Sequence, residues 1–298
     1  MLHIATLTAN PSTPVLDARL LERVAAILPN AQPPVWLAPG IAADIAFTPP
    51  SPAIQDLAGI ARAALAGAPA DVNLLPAEGR RKRLLLADMD STMIEQECLD
   101  ELAGLVGLKD HVAAITERTM RGELDFEPAL KERVALLKGL KLDAVGTVLE
   151  EKISLMAGGP VLIATMRANG AYTALVSGGF TLFTGPIGQT IGFDESRGNV
   201  LDHSDGALLG TVQPPILGKD AKRSALIELR ETHRLSPQQT LAVGDGANDL
   251  AMLEEAGLGV AFRAKPAVAA AAHARIEYGD LTALLYLQGY SAADFVTA

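Results

Sequence analysis

Asp88 and Asp90 stand one residue apart in LLLADMDST, Leu84–Thr92, directly after a short apolar run. The first carboxylate can aim into a crevice as a nucleophile or metal ligand, and the second, in the turn, can hold a proton for a leaving oxygen or a water. The same letters also suit a turn begun by Asp88 and a helix capped by Asp90. Two more stretches carry related chemistry. VSGG, Val176–Gly179, offers the Ser177 hydroxyl and glycine amides to phosphate oxygens, and VGDGAND, Val243–Asp249, offers Asp245. Asp88 and Asp245 make the all-oxygen pocket that a hard cation such as Mg²⁺ takes, and Lys222 can place a positive charge on the same group. Acids, donors, lysine and cation together describe phosphoryl transfer to a carboxylate. Each piece alone is weak, since VSGG suits a tight turn and GDGAND a loop. GDGAND is not an EF-hand, because its glycine is misplaced and no twelve-residue ligand loop follows.

These residues need a scaffold that brings them together. Leu84–Ala87, Tyr172–Val176 and Gln239–Val243 read as buried strands, apolar on both faces, each breaking into one of the polar stretches. In a parallel sheet their carboxyl ends share one edge, where open α/β sheets bind ligands. Helices at Val161–Ala168 and Lys219–Arg234, a strand at Leu258–Phe262, and Arg275–Tyr278 with a closing helix continue the alternation. Asp205-Gly206, between two apolar runs within 193–213, signals a hairpin. Residues 95–157 read as helical, with stripes at Leu99–Val106, Val112–Met120, Leu130–Leu137 and Val145–Leu155. A helical block inserted after the first strand can close over the edge as a lid.

The first eighty residues have a different pattern. A strand at 2–8, a helix at Leu16–Leu28 stopped by Pro29, strands at Val35–Ala38 and Ile41–Phe47, a helix at Ile54–Ala66 and a strand at Asp71–Leu75 give the order βαββαβ. That is the ferredoxin-like split motif, similar in element order to ACT-type regulatory domains. Order alone does not separate dimerisation from ligand sensing, so both stay open. Glu78–Arg83, EGRRKR, reads as a solvated joint. The expected fold class is α/β: a small α+β ferredoxin-like (ACT-like) domain at 1–80, then a Rossmann-like, mainly parallel sheet at 83–298 with a helical cap at about 95–157.

Composition excludes other classes. The 298 residues are 49% hydrophobic and 20% charged, as in globular proteins, and the net charge of −10 argues against a nucleic-acid partner. The single cysteine, Cys98, rules out an internal disulfide framework and suits a reducing compartment. There is no signal-peptide pattern at the N-terminus, and the Ala-rich run at Ala267–Ala274 is too short for a bilayer. A cytoplasmic enzyme without a membrane partner is expected.

The strings DxDST at Asp88–Thr92, VSGGF at Val176–Phe180, Lys222 and VGDGAND at Val243–Asp249 resemble, in order, the four motifs of haloacid dehalogenase-type phosphatases. The resemblance covers residues 83–298. It implies Asp88 as nucleophile, Asp90 as general acid and then base, and Mg²⁺ on Asp88, Asp245 and the main-chain carbonyl of Asp90, with Asp249 in support. It implies that Ser177, Gly178 and Lys222 hold the phosphoryl group and that Asn248 lines the same pocket. In the cap it implies that Glu97 meets a substrate ammonium and Arg133 a substrate carboxylate, as phosphoserine would require, with Met120 and Phe126 as the apolar wall. A bidentate arginine for a carboxylate and an acid for an amine is sensible chemistry. Two rivals remain at this point. One is a related phosphatase or phosphotransferase with another substrate; the other is a phospho-accepting signalling module, which would lack both the acid doublet and so long a helical insertion.

Overall fold

The computed structural model describes residues 1–49 and 54–297. In chain order the first elements are β1 (His3–Ala9), α1 (Ala18–Ala25), β2 (Val35–Ala38), β3 (Ala42–Phe47), α2 (Ile54–Ala64) and β4 (Ala70–Pro76). There follow β5 (Leu84–Ala87), α3 (Cys98–Gly104), α4 (Lys109–Met120), α5 (Phe126–Ala135), α6 (Asp143–Glu151), α7 (Gly159–Ala168), β6 (Tyr172–Phe180) and α8 (Thr181–Ile191). The rest is β7 (Glu195–Asn199), β8 (Leu201–Ser204), β9 (Ala207–Val212), α9 (Lys219–Thr232), β10 (Thr240–Gly244), α10 (Leu250–Glu255), β11 (Leu258–Phe262), α11 (Pro266–Ala271), β12 (Ala274–Ile276) and α12 (Ala283–Leu287). No helix among the described residues is long and apolar enough to cross a membrane.

The chain forms two compact units. The first unites Met1–Arg83 with two later segments, Ala157–Ala171 and Ala274–Ala298. Its antiparallel sheet has the order β2-β3-β1-β4, the ferredoxin-like arrangement. Asp17 starts α1 by accepting the Leu20 N–H at 2.7 Å, so the helix begins and ends inside the span its periodicity suggests. Leu20, Leu21 and Val24 of α1 and Ala61 of α2 bury against Leu7, Ile45 and Phe47 of the sheet. The late segments are tied in by side chains of β4. Asp71 accepts the N–H groups of Glu277, Tyr278 and Gly279 at 2.8, 3.1 and 3.0 Å, and Asn73 exchanges two bonds of 2.9 Å with the Arg275 backbone.

Glu78–Arg83 is the solvated joint its composition suggests only at Glu78, Gly79, Arg81 and Arg83, which are exposed; Arg80 and Lys82 are not. Arg80 grips Asp44 through two nitrogens, at 2.6 and 3.1 Å, and donates to the carbonyls of Tyr286 and Leu287 at 2.9 and 3.0 Å. Hydrophilic letters here mark a partly buried guanidinium that hydrogen-bonds through all three nitrogens. Arg80→Ala leaves Asp44 with the Thr6 hydroxyl and removes a donor from the carbonyls of Leu287 and of Tyr286, which keeps the Gly289 N–H, an expected loss of about 3 kcal/mol. Trp36, the one tryptophan, lies on β2 of this unit and reports it in urea unfolding; an unshifted midpoint would refute the role assigned to Arg80.

The second unit is Leu84–Met156 with Tyr172–His273. Its strands run β11-β10-β5-β6-β7, all parallel. Leu84–Ala87 is wholly buried, as a run apolar on both faces requires. β7 escapes a pattern search because ESRGN has no apolar run; it lies at the sheet edge and is only partly covered. α3 to α6 leave the sheet after β5 and return along a two-stranded neck, where Glu95 N–H donates to Ser154 O at 3.0 Å and Met156 N–H to Met93 O at 2.9 Å. The hairpin β8–β9 turns at Asp205-Gly206, both at positive φ (52° and 73°), and its Leu208 bonds backbone to backbone with Gly139 and Leu140.

Candidate active site

β10, β5 and β6 are neighbours, so the residues just beyond their carboxyl ends meet. Asp88 extends the ladder by donating its N–H to Val243 O at 3.0 Å. From α9, Lys222 Nζ donates to Asp88 Oδ1 and to Asp249 Oδ1, both at 2.7 Å. The second oxygen of Asp249 accepts the N–H groups of Asp245 and Gly246 at 3.2 and 3.0 Å, which sets the loop after β10. This packing requires Gly244: a Cβ there would lie 2.4 Å from Asp249 Cγ. Thr92 donates its hydroxyl to Asp245 Oδ1 at 3.0 Å.

One lysine among these buried acids leaves excess negative charge. Carboxylate oxygens of Asp88, Asp245 and Asp249 lie within 4.8 Å of one another. Burial, then the charge of Asp249, pushes Asp88 well above the ordinary carboxylate range, and the same two causes push Asp245 up to about 7. Burial works against the charge of Lys222, yet Asp249 and Asp88 hold its ammonium above the usual value. A bound cation would relieve this imbalance, so the donor set fits a hard metal ion. Both oxygens of Asp249 are spent on Lys222 and the loop amides, which fits it for support; Asp88 and Asp245 are the carboxylates suited to ligation.

Asp90 sits across the cavity. Its Oδ1 accepts the Cys98 N–H at 3.0 Å at the start of α3, and its Oδ2 faces Ser177 Oγ at 3.4 Å. Burial raises its carboxyl above the ordinary value, which suits a group that must hold a proton. The strand expected to break at Ser177 instead runs through Phe180 with an irregular register, and Asn199 fixes it by donating to Gly178 O at 2.8 Å.

The helical insertion borders the cavity. Glu97, Phe126, Arg133 and Asn248 line it together with Asp88, Asp90, Ser177 and Gly178. Arg133 is 6% exposed; its Nε donates to Ala129 O at 3.1 Å and its Nη1 to Thr116 Oγ1 at 2.8 Å, while Thr116 donates to Asp100 Oδ1 at 2.7 Å. Burial lowers the Arg133 guanidinium and the charges of Asp100, Glu97 and Asp90 oppose that. Burial, reinforced by Asp90, pushes Glu97 well above its ordinary range against the Ser91 hydroxyl, which donates to it at 2.5 Å. The Phe126 ring lies over Gly178, where a Cβ would meet its Cζ at 2.7 Å. The Met120 side chain, expected on the same wall, lies outside the described part of the structure.

The site thus joins the residues singled out in the sequence other than Met120, and adds Ser91, Thr92, Asp100 and Thr116. Within DxDST nothing in the sequence marks a partner for Ser91 or Thr92. Their hydroxyls reach acids that are six and 153 positions away.

The profile of the haloacid dehalogenase-like hydrolases matches residues 85–254, and this chain belongs to that family. Among its relatives are phosphoserine phosphatases. That of Albidiferax ferrireducens is 46% identical over 210 residues, 69% of this chain and 89% of the relative. That of Haemophilus influenzae is 44% identical over 204 residues, 68% of this chain and 65% of the relative. A family hydrolase from Salmonella enterica serovar Typhi superposes over 96% of this chain and 98% of its own, with TM-score 0.84 and 27% identity. A phosphoserine phosphatase solved as an analogue of the phospho-aspartyl intermediate covers 69% of this chain and 98% of its own, with TM-score 0.66 and 37% identity.

Proposed function

We propose that this chain is a Mg²⁺-dependent phosphoserine phosphatase that releases L-serine and phosphate from O-phospho-L-serine, the last step of serine biosynthesis. One juxtaposition carries the reading: Glu97 and Arg133 line the same cavity as Asp88 and Asp90, so an acid for an ammonium and a guanidinium for a carboxylate face the reactive carboxylates. The relatives named above support the substrate.

Asp88 attacks phosphorus while the bond from phosphorus to the serine oxygen breaks, and Asp90 gives that oxygen its proton. Asp90 then takes a proton from a water that attacks the aspartyl-phosphate, freeing phosphate and restoring Asp88. Lys222, Ser177 and the Gly178 amide neutralise and orient the phosphoryl oxygens, and Asn248 and Phe126 shape the cavity. Asp88, Asp245 and the main-chain carbonyl of Asp90 would hold Mg²⁺, which would supply charge stabilisation to the transferring group. The reaction is assigned to the cytoplasm, and the ferredoxin-like unit suits pairing into a homodimer or ligand sensing.

Phosphate release from L-phosphoserine tests the proposal. EDTA is expected to reduce it by at least about 10²-fold, with recovery on adding Mg²⁺. Undiminished release in EDTA would overturn the metal; hydrolysis of other phosphomonoesters but not of phosphoserine would overturn the substrate.

A further inference from the structure

Arg133 spends only part of its donor set on the protein. Its Nε donates to Ala129 O at 3.1 Å within α5, and its Nη1 donates to Thr116 Oγ1 at 2.8 Å on α4. Nη2 makes no hydrogen bond among the described residues, yet it is not sealed in the interior, and the cavity that Arg133 lines is the one that holds Asp88 and Asp90. Thr116 lines the same cavity, whereas Asp100 of α3 is not among the residues that line it. A guanidinium can only donate, so the Thr116 hydroxyl accepts from it and has one proton to give. Asp100 Oδ1 takes that proton at 2.7 Å, closer than Val112 O at 3.1 Å. All three side chains are buried, and each comes from a different helix of the insertion. With Nε already on Ala129, an Asp100 paired directly with Arg133 would fork across Nη1 and Nη2 and leave nothing for a ligand. The interposed hydroxyl takes one nitrogen only. Asp100 still serves the buried cation through its charge, since burial lowers the Arg133 guanidinium and Asp100 is the largest influence opposing that.

Resting on the reading that the substrate carries a carboxylate, we propose that Thr116, braced by Asp100, is a positioning residue that locks the Arg133 guanidinium and reserves its Nη2 for that carboxylate. Neither Thr116 nor Asp100 hydrogen-bonds to Asp88, Asp90, Ser177 or Lys222 among the described residues. Their effect therefore falls on holding the serine moiety and not on phosphoryl transfer itself.

The test is steady-state kinetics of full-length Thr116→Val, which keeps the shape and removes the hydroxyl, on phosphoserine and on p-nitrophenyl phosphate, beside Arg133→Ala. KM for phosphoserine is expected to rise about tenfold, the scale of one hydrogen bond to a charged group, with kcat within about threefold. Turnover of p-nitrophenyl phosphate, which has no carboxylate, is expected to stay within about threefold and reports that the variant is folded. Thr116→Ser restores the hydroxyl and is expected to bring KM back to within about threefold of wild type. In the Arg133→Ala background Thr116→Val is expected to add less than about twofold, because its action passes through that guanidinium. An unchanged KM, equal losses on the two substrates, or a full tenfold loss added in the double variant would overturn the proposal. A loss in Arg133→Ala that is equal on the two substrates would overturn the carboxylate reading itself, and the proposal with it. If Thr116→Val folds poorly, Thr116→Ala decides by the same criteria.

Discussion

Asp88→Asn is expected to lower phosphate release from phosphoserine by on the order of 10⁴-fold or more, leaving the protein folded. An amide nitrogen or neutral amide oxygen is a poor nucleophile toward phosphorus, and no neighbouring acid occupies the same place. Asp90 already spends its oxygens on Cys98 N–H and Ser177, and Asp249 on Lys222 and two loop amides. Stability should not fall with activity. Asp88 is one of three close acids, and in Asp88→Asn the lysine keeps Asp249 at 2.7 Å. Removing one charge from a mutually repelling set relieves the desolvation and repulsion that raise its carboxyl. Single-turnover assays with thermal unfolding on the same sample check both halves. Activity within tenfold of wild type would remove Asp88 from the nucleophile's role, and a collapse of stability would make it structural.

Arg133→Ala carries the second large effect. Against phosphoserine, kcat/KM should fall about 10²- to 10³-fold, the scale for deleting one member of a desolvated, hydrogen-bonded charge pair. Against p-nitrophenyl phosphate, which has no carboxylate, the change should stay within about threefold. This contrast separates recognition from architecture, because Arg133 also bonds Ala129 on α5 and Thr116 on α4, and its loss removes both bonds. Equal losses on both substrates would assign it to the cap's structure alone. Arg133→Lys should recover only part of the loss, since an ammonium cannot replace the planar fork.

Much of the candidate site was legible because it is written locally. Asp88, Ser177 and Asp245 each follow a short apolar run, and a parallel sheet forces the ends of such runs onto one edge. What could not be read depends on distant partners. Nothing around Thr116 marks it as the bridge from Arg133 to Asp100, since its partners lie 17 and 16 positions away on other helices. Thr92 reaches Asp245 only because β5 and β10 are neighbours. Arg80 was misread for the same reason: its charge is satisfied by Asp44 and by carbonyls more than two hundred positions on, a pairing that composition does not record.

The bonds from Asp71 and Asn73 to residues 275–279 have a consequence for biosynthesis. On the ribosome, β4 emerges long before its partners, which are made some 202 to 208 positions later. Until then Asp71 has no amides to accept and Arg80 no Tyr286 or Leu287 carbonyl to bind. The nascent N-terminal sheet therefore waits, incompletely closed, through translation of the entire phosphatase unit, and that interval is when an uncovered strand edge is open to chaperones or to other chains.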